Sequence, residues 1–142
     1  MPLIAATLLR VRSVWYLPAF FVAAFRSAQQ AKVAPGNLAV AVLNDEHRTY
    51  WTCSAWLDVS AMRSCMSTSP HGPIMRKLAH WCDEASVVHW EQASHEFPQW
   101  SVVYERMQHE GRASRVTHPS ESHQALRIRV PNLSRARPVR LK

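Results

Sequence analysis

Histidine and tryptophan side chains near the ends of predicted helices and strands are the residues best suited to chemistry. His71 follows Ser69 and Pro70 at the start of a predicted helix, on or near the apolar stripe that contains Met75 and Trp81. A neutral imidazole there can accept a proton, hydrogen-bond a ligand or bind haem iron. The position equally suits a structural histidine bonded to a backbone carbonyl, and the residues alone leave both interpretations open.

Tryptophans near the ends of two predicted strands, Trp56 and Trp90, form a second group of candidates. Aromatic walls of this kind suit a flat polycyclic ligand, although the same side chains serve equally well as core or dimer contacts. His89 precedes Trp90 directly and therefore points to the opposite side of the same strand. The sequence does not decide whether His89 faces an interior space or solvent.

Several other kinds of chemistry are excluded by composition. The chain contains 3 Gly, too few for a glycine-rich phosphate loop, and no GxSxG motif. Its three cysteines, Cys53, Cys65 and Cys82, show no CxxC spacing, which predicts buried free thiols in a reducing, cytoplasmic compartment. No pairs of histidine and cysteine match the usual zinc spacing, so we expect no metal site.

The net charge of +7 is unevenly distributed along the chain. Residues 127–142 contain six basic and no acidic residues, so residues 1–126 carry 11 basic against 10 acidic residues, or +1. This pattern predicts a solvated, frayed basic tail and no nucleic-acid partner.

The longest apolar run, Val14 to Phe25, spans 12 residues and contains Pro18, so it is too short to cross a membrane. The main stripe of the helix predicted here contains Phe21, Phe25 and Ala28, and Phe20 and Val22 lie off it. We expect this helix to be buried against the helix that Pro98 opens. Such burial would keep it away from a membrane surface. The alternative is that the helix lines a ligand entrance or touches a membrane surface with help from nearby arginines.

Hydrophobic periodicity predicts an alternation of strands and helices. The predicted strands are Leu3–Val11, Leu38–Leu43, Thr49–Trp56, Ala85–Gln92 and Ala125–Val130. The predicted helices are Pro18–Ala31, a second helix that begins after an Asp58 or Ser60 cap and restarts at Ser69, and a third that begins at Pro98 and ends in a left-handed cap at Gly111. The order βαββαβ is typical of a ferredoxin-like α+β fold, an antiparallel sheet with helices on one face, here followed by an extra helix and an edge strand. We therefore predict a domain over 1–111 and an extended C-terminal segment over 112–142.

Both faces of the predicted sheet are apolar, because alternate residues of Leu3–Leu9 and of Leu38–Leu43 are hydrophobic on each side. Helices on one face leave the other face uncovered. The simplest second cover is the sheet of another copy, which predicts a homodimer shaped as an α/β barrel.

The stretch from Trp56 to Met62, followed by Ser69-Pro70-His71 and Trp81, resembles the dimeric α/β-barrel superfamily. That superfamily includes antibiotic-biosynthesis monooxygenases and haem-degrading monooxygenases. His71 to Trp81, with Val87 to Trp90 and Pro98 after it, is similar to a family of uncharacterised bacterial proteins in the same superfamily. The resemblance covers about residues 3–110.

The resemblance implies a small monooxygenase that acts on an aromatic or polyketide-like substrate without metal or flavin. Such enzymes remove a proton from the substrate, and the resulting carbanion transfers an electron to oxygen. The residues expected to contribute to catalysis are His71, Trp56 and Asn44. The residues expected to line the ligand are His89, Trp90, Trp81, Phe21, Phe25 and Met75. Two alternatives remain, a non-catalytic dimer that binds a hydrophobic ligand and a haem-binding or haem-degrading protein that uses His71.

Overall fold

A computed structural model describes residues 1–67, 71–94, 96–125, 127–134 and 136–142, and only the backbone of residues 71–73 and 75. The strands are β1 Leu3–Val11, β2 Asn37–Asn44, β3 Thr49–Trp56, β4 Cys82–Glu91, β5 Arg112–Ala113 and β6 Arg137–Arg140. The helices are α1 Leu17–Val33, α2 Val59–Ser67, α3 His71–Trp81, α4 Trp100–Glu110 and α5 Glu121–Gln124, with one 3-10 turn at Val14–Tyr16 before α1. With α2 and α3 together as the second helical unit, β1 to β4 follow the predicted ferredoxin-like βαββαβ order, and the α+β prediction is confirmed.

The strands of the described residues form one antiparallel sheet in the order β5-β4-β1-β3-β2-β6. The central strand β1 pairs with β3 from Leu3 opposite Trp56 to Arg10 opposite Thr49, and with β4 on its other side. An almost wholly apolar sequence suits this position, because both faces of a central strand are covered.

Alternation along β1 defines two faces of the sheet. Leu3, Ala5, Thr7 and Leu9 point to the side covered by α1, α2 and α3, which we call the helix face. Ile4, Ala6 and Leu8 point to the other side, which we call the back face.

Two separate apolar clusters close the two ends of the helix face. Leu3 and Trp56 pack with Met62 and Cys65 of α2 at one end. Val11 and Cys82 pack with Phe20 of α1 at the other end. The middle of the helix face lies between these clusters and is less tightly covered.

The back face is covered by the same chain. Val103 and Met107 of α4 are fully buried against it, and Ile128 and Ala136 of the C-terminal segment pack on the same cluster. Burial of each large side chain contributes roughly 1.5–3 kcal/mol. The cover expected from a second copy is thus supplied within one chain, and a homodimer would have to displace or exchange that cover, or use another surface.

The C-terminal segment follows a different path from the predicted one. Residues 127–130 form no strand, and Ile128 instead packs on the back face. The segment is attached to the β2–β3 hairpin by Asn132, whose backbone N–H donates to Asp45 Oδ1 (3.1 Å) and whose side-chain amide donates to Glu46 Oε1 (3.2 Å). The prediction of an edge strand is therefore wrong at 127–130, Leu126 lies outside the described residues, and the late strand lies at Arg137–Arg140.

The basic tail is ordered along the edge of the sheet. β6 pairs with β2 from Ala41 opposite Arg140 to Asn44 opposite Arg137. The ammonium of Lys142 donates to the carbonyls of Lys32 (3.0 Å) and Asn37 (2.8 Å), and the Arg140 guanidinium lies 4.3 Å from the centre of the Phe97 ring. The expectation of a frayed tail is wrong because the open edge of β2 offers backbone partners.

Helix α1 is rotated from its predicted orientation. Phe20 and Ala23 are its buried residues, whereas Phe21 and Phe25 are exposed. The run FFVAAF contains apolar residues on every side, so periodicity alone cannot choose among orientations. The expected burial against the helix near Pro98 is also wrong, because that helix, α4, packs on the back face.

Two element ends also differ from the predictions. β4 begins at Cys82, three residues before the predicted Ala85. Gly111 has φ −67° and ψ 153°, an extended conformation, because the chain runs directly into β5 beside β4. The predicted left-handed cap at Gly111 is therefore wrong. Asp58 is confirmed as a cap, since its Oδ1 accepts from the N–H of Ala61 at 2.8 Å.

No helix within the described ranges has the length and apolar character needed to cross a bilayer.

Candidate functional site

The middle of the helix face carries a strip of small and polar side chains. In register across the sheet, His89 of β4 lies opposite Ala5, which lies opposite Ser54 of β3. In the next row Thr7 lies opposite Thr52. We call His89, Ser54, Thr7 and Thr52 the polar strip. Its hydroxyl residues are half-buried and His89 is exposed, so the strip is accessible between the two apolar clusters.

The surroundings of His89 favour its neutral form. Partial burial lowers the pKa of the imidazole below its usual 6.5, and the positive charges of Arg112 in β5 and Arg63 in α2 lower that pKa further. A neutral imidazole can accept a proton at neutral pH. The same two arginines favour an anion beside the ring.

Trp56 closes one end of the polar strip. Its indole is almost fully buried against Leu3 and Met62, and its Nε1–H donates to Ser54 Oγ at 2.8 Å. The hydroxyl of Ser54 also lies 3.5 Å from the carbonyl of Ala5. These two contacts orient the Ser54 hydroxyl beside the buried indole of Trp56.

The spacing across the strip suits a flat ring. His89 and Ser54 are separated by one intervening strand, so their backbones lie about 10 Å apart. The residue between them is Ala5, whose methyl group fills little of that space. A planar aromatic group above Ala5 would meet an imidazole on one side and hydroxyls on the other.

The predicted site residues are divided among several places. Trp56 and His89 both lie at the polar strip. Asn44 is exposed, pairs with Tyr50, and lies about 13 Å along the strands from the row of His89 and Ser54. Trp90 points to the back face and packs against Ile4 and the α4 cluster.

Phe21 and Trp81, two further predicted ligand-lining residues, are also distant from the strip. Phe21 lies at the other end of the helix face, with its ring centre 5.4 Å from that of Tyr50. Trp81 packs beside Val11 at that same end, and Phe25 is exposed on α1. The backbone of His71 begins α3. The side chains of His71 and Met75, and residues Ser69 and Pro70, lie outside the described part of the chain.

The hydroxyl members of the strip were not among the predicted site residues. Thr52, Ser54 and Trp56 alternate along β3 with the apolar set Trp51, Cys53 and Ala55. That alternation, visible in TYWTCSAW, was the available signal, since it places the hydroxyls beside Trp56 on one face. Thr7 was hidden by the apolar run of β1.

The three cysteines are buried and free, as predicted. Burial raises the pKa of Cys53 and of Cys82 to about 12, with the charge of Asp83 adding to the effect at Cys82. Neither thiol forms a reactive thiolate at neutral pH. Among the described residues, no three His, Cys, Asp or Glu side chains are grouped as metal ligands.

Structural comparison identifies the fold. SnoaB, a cofactor-independent oxygenase from Streptomyces nogalater, matches at TM-score 0.57 and 15% identity over 69% of this chain and 98% of SnoaB. A proposed antibiotic biosynthesis monooxygenase from Nitrosomonas europaea matches at TM-score 0.60 and 15% identity over 68% and 94% of the two chains. Another antibiotic biosynthesis monooxygenase matches at TM-score 0.57 and 14% identity over 65% and 99%.

No protein-family model and no curated protein sequence matches the chain. The chain has the ferredoxin-like fold of these monooxygenase structures, as its resemblance to the superfamily implied. About a third of it lies outside the matched regions.

Proposed function

We propose that the protein is a small oxygenase that oxidises an aromatic, polyketide-like substrate at the polar strip without metal or flavin. The observation that carries the proposal is the accessible row of His89, Ala5 and Ser54 beside Trp56. The fold shared with a cofactor-independent oxygenase supports it.

The reaction class is oxidation of an activated CH₂ or phenolic group by O₂. Removal of a proton from the substrate leaves a carbanion or phenolate, which transfers one electron to O₂. Recombination of the substrate radical with superoxide forms a peroxide. At a CH₂ group the peroxide loses water, so that one oxygen atom becomes the new carbonyl and the other leaves as H₂O.

Each group in the strip has a role in this sequence. His89 accepts the first proton, because its lowered pKa keeps the imidazole neutral. The hydroxyls of Thr7 and Thr52 donate to the developing oxyanion, and Ser54 joins them when its hydroxyl turns away from the Ala5 carbonyl. Arg63 and Arg112 favour the anionic substrate over its neutral form, and the buried Trp56 orients Ser54 through its indole N–H.

Other parts of the expectation stay predictions. They are the role of His71 as a base, the binding of a hydrophobic ligand, the homodimer and the cytoplasmic location. Asn44 is too far from the strip to act in the same step as His89, so we assign it no role in the proposed reaction.

Oxygen consumption with anthrone and hydroquinone substrates, in chelator-treated and flavin-free buffer, tests the proposal. Replacement of His89 by Gln removes the base but keeps a polar side chain, and we expect kcat/KM to fall by roughly 10²–10⁴. The wild-type rate should rise with pH through an apparent pKa below 6.5 and then level off, because only the neutral imidazole accepts a proton. The His89→Gln variant should lose that inflection.

His109→Gln is the matched control, since His109 is exposed on α4, which packs on the back face. It should leave the rate and the pH profile unchanged. An unchanged profile in folded His89→Gln would remove His89 from the mechanism. Quenching of tryptophan fluorescence by the substrates without oxygen uptake would instead identify a non-catalytic binding protein.

A further inference from the structure

The helices that cover the helix face carry no acidic residue. No Asp or Glu occurs in residues 1–44 or in residues 59–81, which include α1, α2 and α3. The lysines and arginines of these three helices are therefore their only charged residues, and all are exposed, namely Arg26, Lys32, Arg63, Arg76 and Lys77. The net charge of residues 1–126 is close to zero, but its positive and negative charges are separated in space. The acidic residues lie in loops, β4, α4 and α5.

The same surface exposes large apolar side chains. Trp15 is 86% exposed in the turn before α1, and Val22 and Phe25 on α1 are 56% and 64% exposed. Val33 at the end of α1 and Leu57 just before α2 are exposed as well. Soluble proteins rarely group this much apolar surface without a binding partner.

The basic and apolar residues lie on neighbouring elements of one side of the sheet, where Asp58 at the start of α2 is the acid next to Leu57. Helix α1 packs against α3, and α3 packs against α2, all on one side of the sheet. Along α1, Val22, Arg26 and Val33 are four and seven residues apart and therefore share one side. We call this outward side of the three helices the basic apolar surface.

We propose that the basic apolar surface docks the protein on an anionic lipid membrane. Exposed tryptophan, phenylalanine and aliphatic side chains enter the headgroup region, while basic side chains around them contact anionic lipid. Membrane contact was not expected because α1 was predicted to be buried against another helix. Val22 and Phe25 are exposed, so that objection does not apply.

The aliphatic character of the surface favours lipid over nucleic acid. Val14, Val22, Val33 and Leu57 have no ring on which a base could stack, although nucleic-acid surfaces depend on such stacking. Hydrocarbon, by contrast, accepts aliphatic and aromatic side chains alike.

Co-flotation of the full chain with vesicles tests the proposal. We expect binding to vesicles of phosphatidylcholine with about one-third phosphatidylserine, weak binding to phosphatidylcholine alone, and weaker binding at high salt. The double variant Arg76→Gln/Lys77→Gln should weaken binding about 30-fold, since each basic residue near such a surface contributes about fivefold. Trp15→Ser/Phe25→Ser should weaken it by about tenfold or more.

Matched controls change the same chemistry elsewhere. Arg127→Gln/Arg129→Gln removes two exposed charges from the C-terminal segment, and Val102→Ser removes an exposed valine from α4 on the opposite side. Both controls should bind vesicles like the wild type. All substituted side chains are exposed, so thermal unfolding should remain close to that of the wild type.

Four results would overturn the proposal. The first is no binding to anionic vesicles at low salt, and the second is an equal loss of binding in the controls. The third is a wild type that does not bind vesicles and has the mass of two copies by light scattering, while Trp15→Ser/Phe25→Ser has the mass of one. That result would identify the surface as a contact between copies. The fourth is binding of a single-stranded RNA oligonucleotide without vesicle binding, which would identify nucleic acid as the partner of this surface.

Discussion

Two buried tryptophans of β3 differ in one hydrogen bond. Trp56 donates its indole N–H to Ser54 Oγ at 2.8 Å on the helix face. Trp51 is buried on the back face, and its indole N–H has no hydrogen-bond partner among the described residues. An unpaired buried donor costs about 1–3 kcal/mol, whereas a paired one contributes about 0.5–1.5 kcal/mol.

Substitution of each tryptophan by phenylalanine measures that difference. Both changes remove similar volume, but Trp56→Phe also breaks a hydrogen bond while Trp51→Phe removes an unpaired donor. We expect Trp56→Phe to lower the free energy of unfolding by about 1–2 kcal/mol more than Trp51→Phe, as measured by urea unfolding. Equal losses would mean that the contact with Ser54 adds nothing to stability.

The polar strip shows how far single residues can be predicted. Trp56 and His89 were identified from residue type and strand position, because both lie on strands whose register follows from alternation. Asn44 and Trp90 were placed with them because all follow or end strands. The row that Asn44 and Trp90 occupy depends on pairing across the sheet, which one sequence does not specify, and packing decides which side of each strand faces the helices.

At the scale of elements, the turn between α1 and β2 depends on a glycine. Gly36 has φ +84°, and a Cβ on it would lie 2.5 Å from the Cβ of Ala61 in α2. The carbonyl of Gly36 also accepts from the N–H of Leu57 at 2.8 Å, which fixes the turn against the start of α2. Both the backbone conformation and the close approach therefore require glycine.

Gly36→Ala should lower the free energy of unfolding by about 2–4 kcal/mol, part from the positive φ and part from the overlap with Ala61. Ala61→Gly alone should cost about 1 kcal/mol through helix propensity. The double variant should be at least about 1 kcal/mol more stable than the sum of the two changes predicts, because it removes the overlap. Strict additivity in thermal unfolding would show that the two elements do not meet as closely as described.

The elements themselves differ in how well their sequences specify them. β1 and β3 match their predicted bounds, since apolar and β-branched runs end at clear turns. α1 begins one residue before and ends two residues after its predicted bounds, but its orientation is set by packing of Phe20 under Tyr50, with ring centres 5.0 Å apart. The place of β6 is set by the free edge of β2 and not by its own pattern, because RPVR has no strong preference for a strand.

At the scale of the whole molecule, the two layers on the sheet differ in origin and charge. The helix face is covered by basic helices, and the back face by α4 and the C-terminal segment. The sequence showed correctly that both faces need a cover, since this follows from the apolar character of the strands. It could not show that the second cover comes from the same chain, because the alternation around Ile128 predicted an edge strand with one solvated face and not a segment packed across the sheet.

Ile128 provides a test of this intramolecular cover. Ile128→Glu places a charge against the apolar back face, whereas Val130→Glu, two residues away, changes a side chain that is 63% exposed. We expect Ile128→Glu to lower the free energy of unfolding by about 1–3 kcal/mol and Val130→Glu to change it by less than about 0.5 kcal/mol.

The same pair of variants tests how the cover controls self-association. Loosening of the segment at Ile128 would expose the apolar residues Ile4, Ala6 and Leu8. Back faces of separate copies could then meet, so the mass of Ile128→Glu measured by light scattering should exceed that of Val130→Glu. A barrel dimer formed through this face would thus require release of both α4 and the segment, which compete with a second copy for the back face. Equal masses and equal stabilities for the two variants would show that Ile128 does not hold the cover in place.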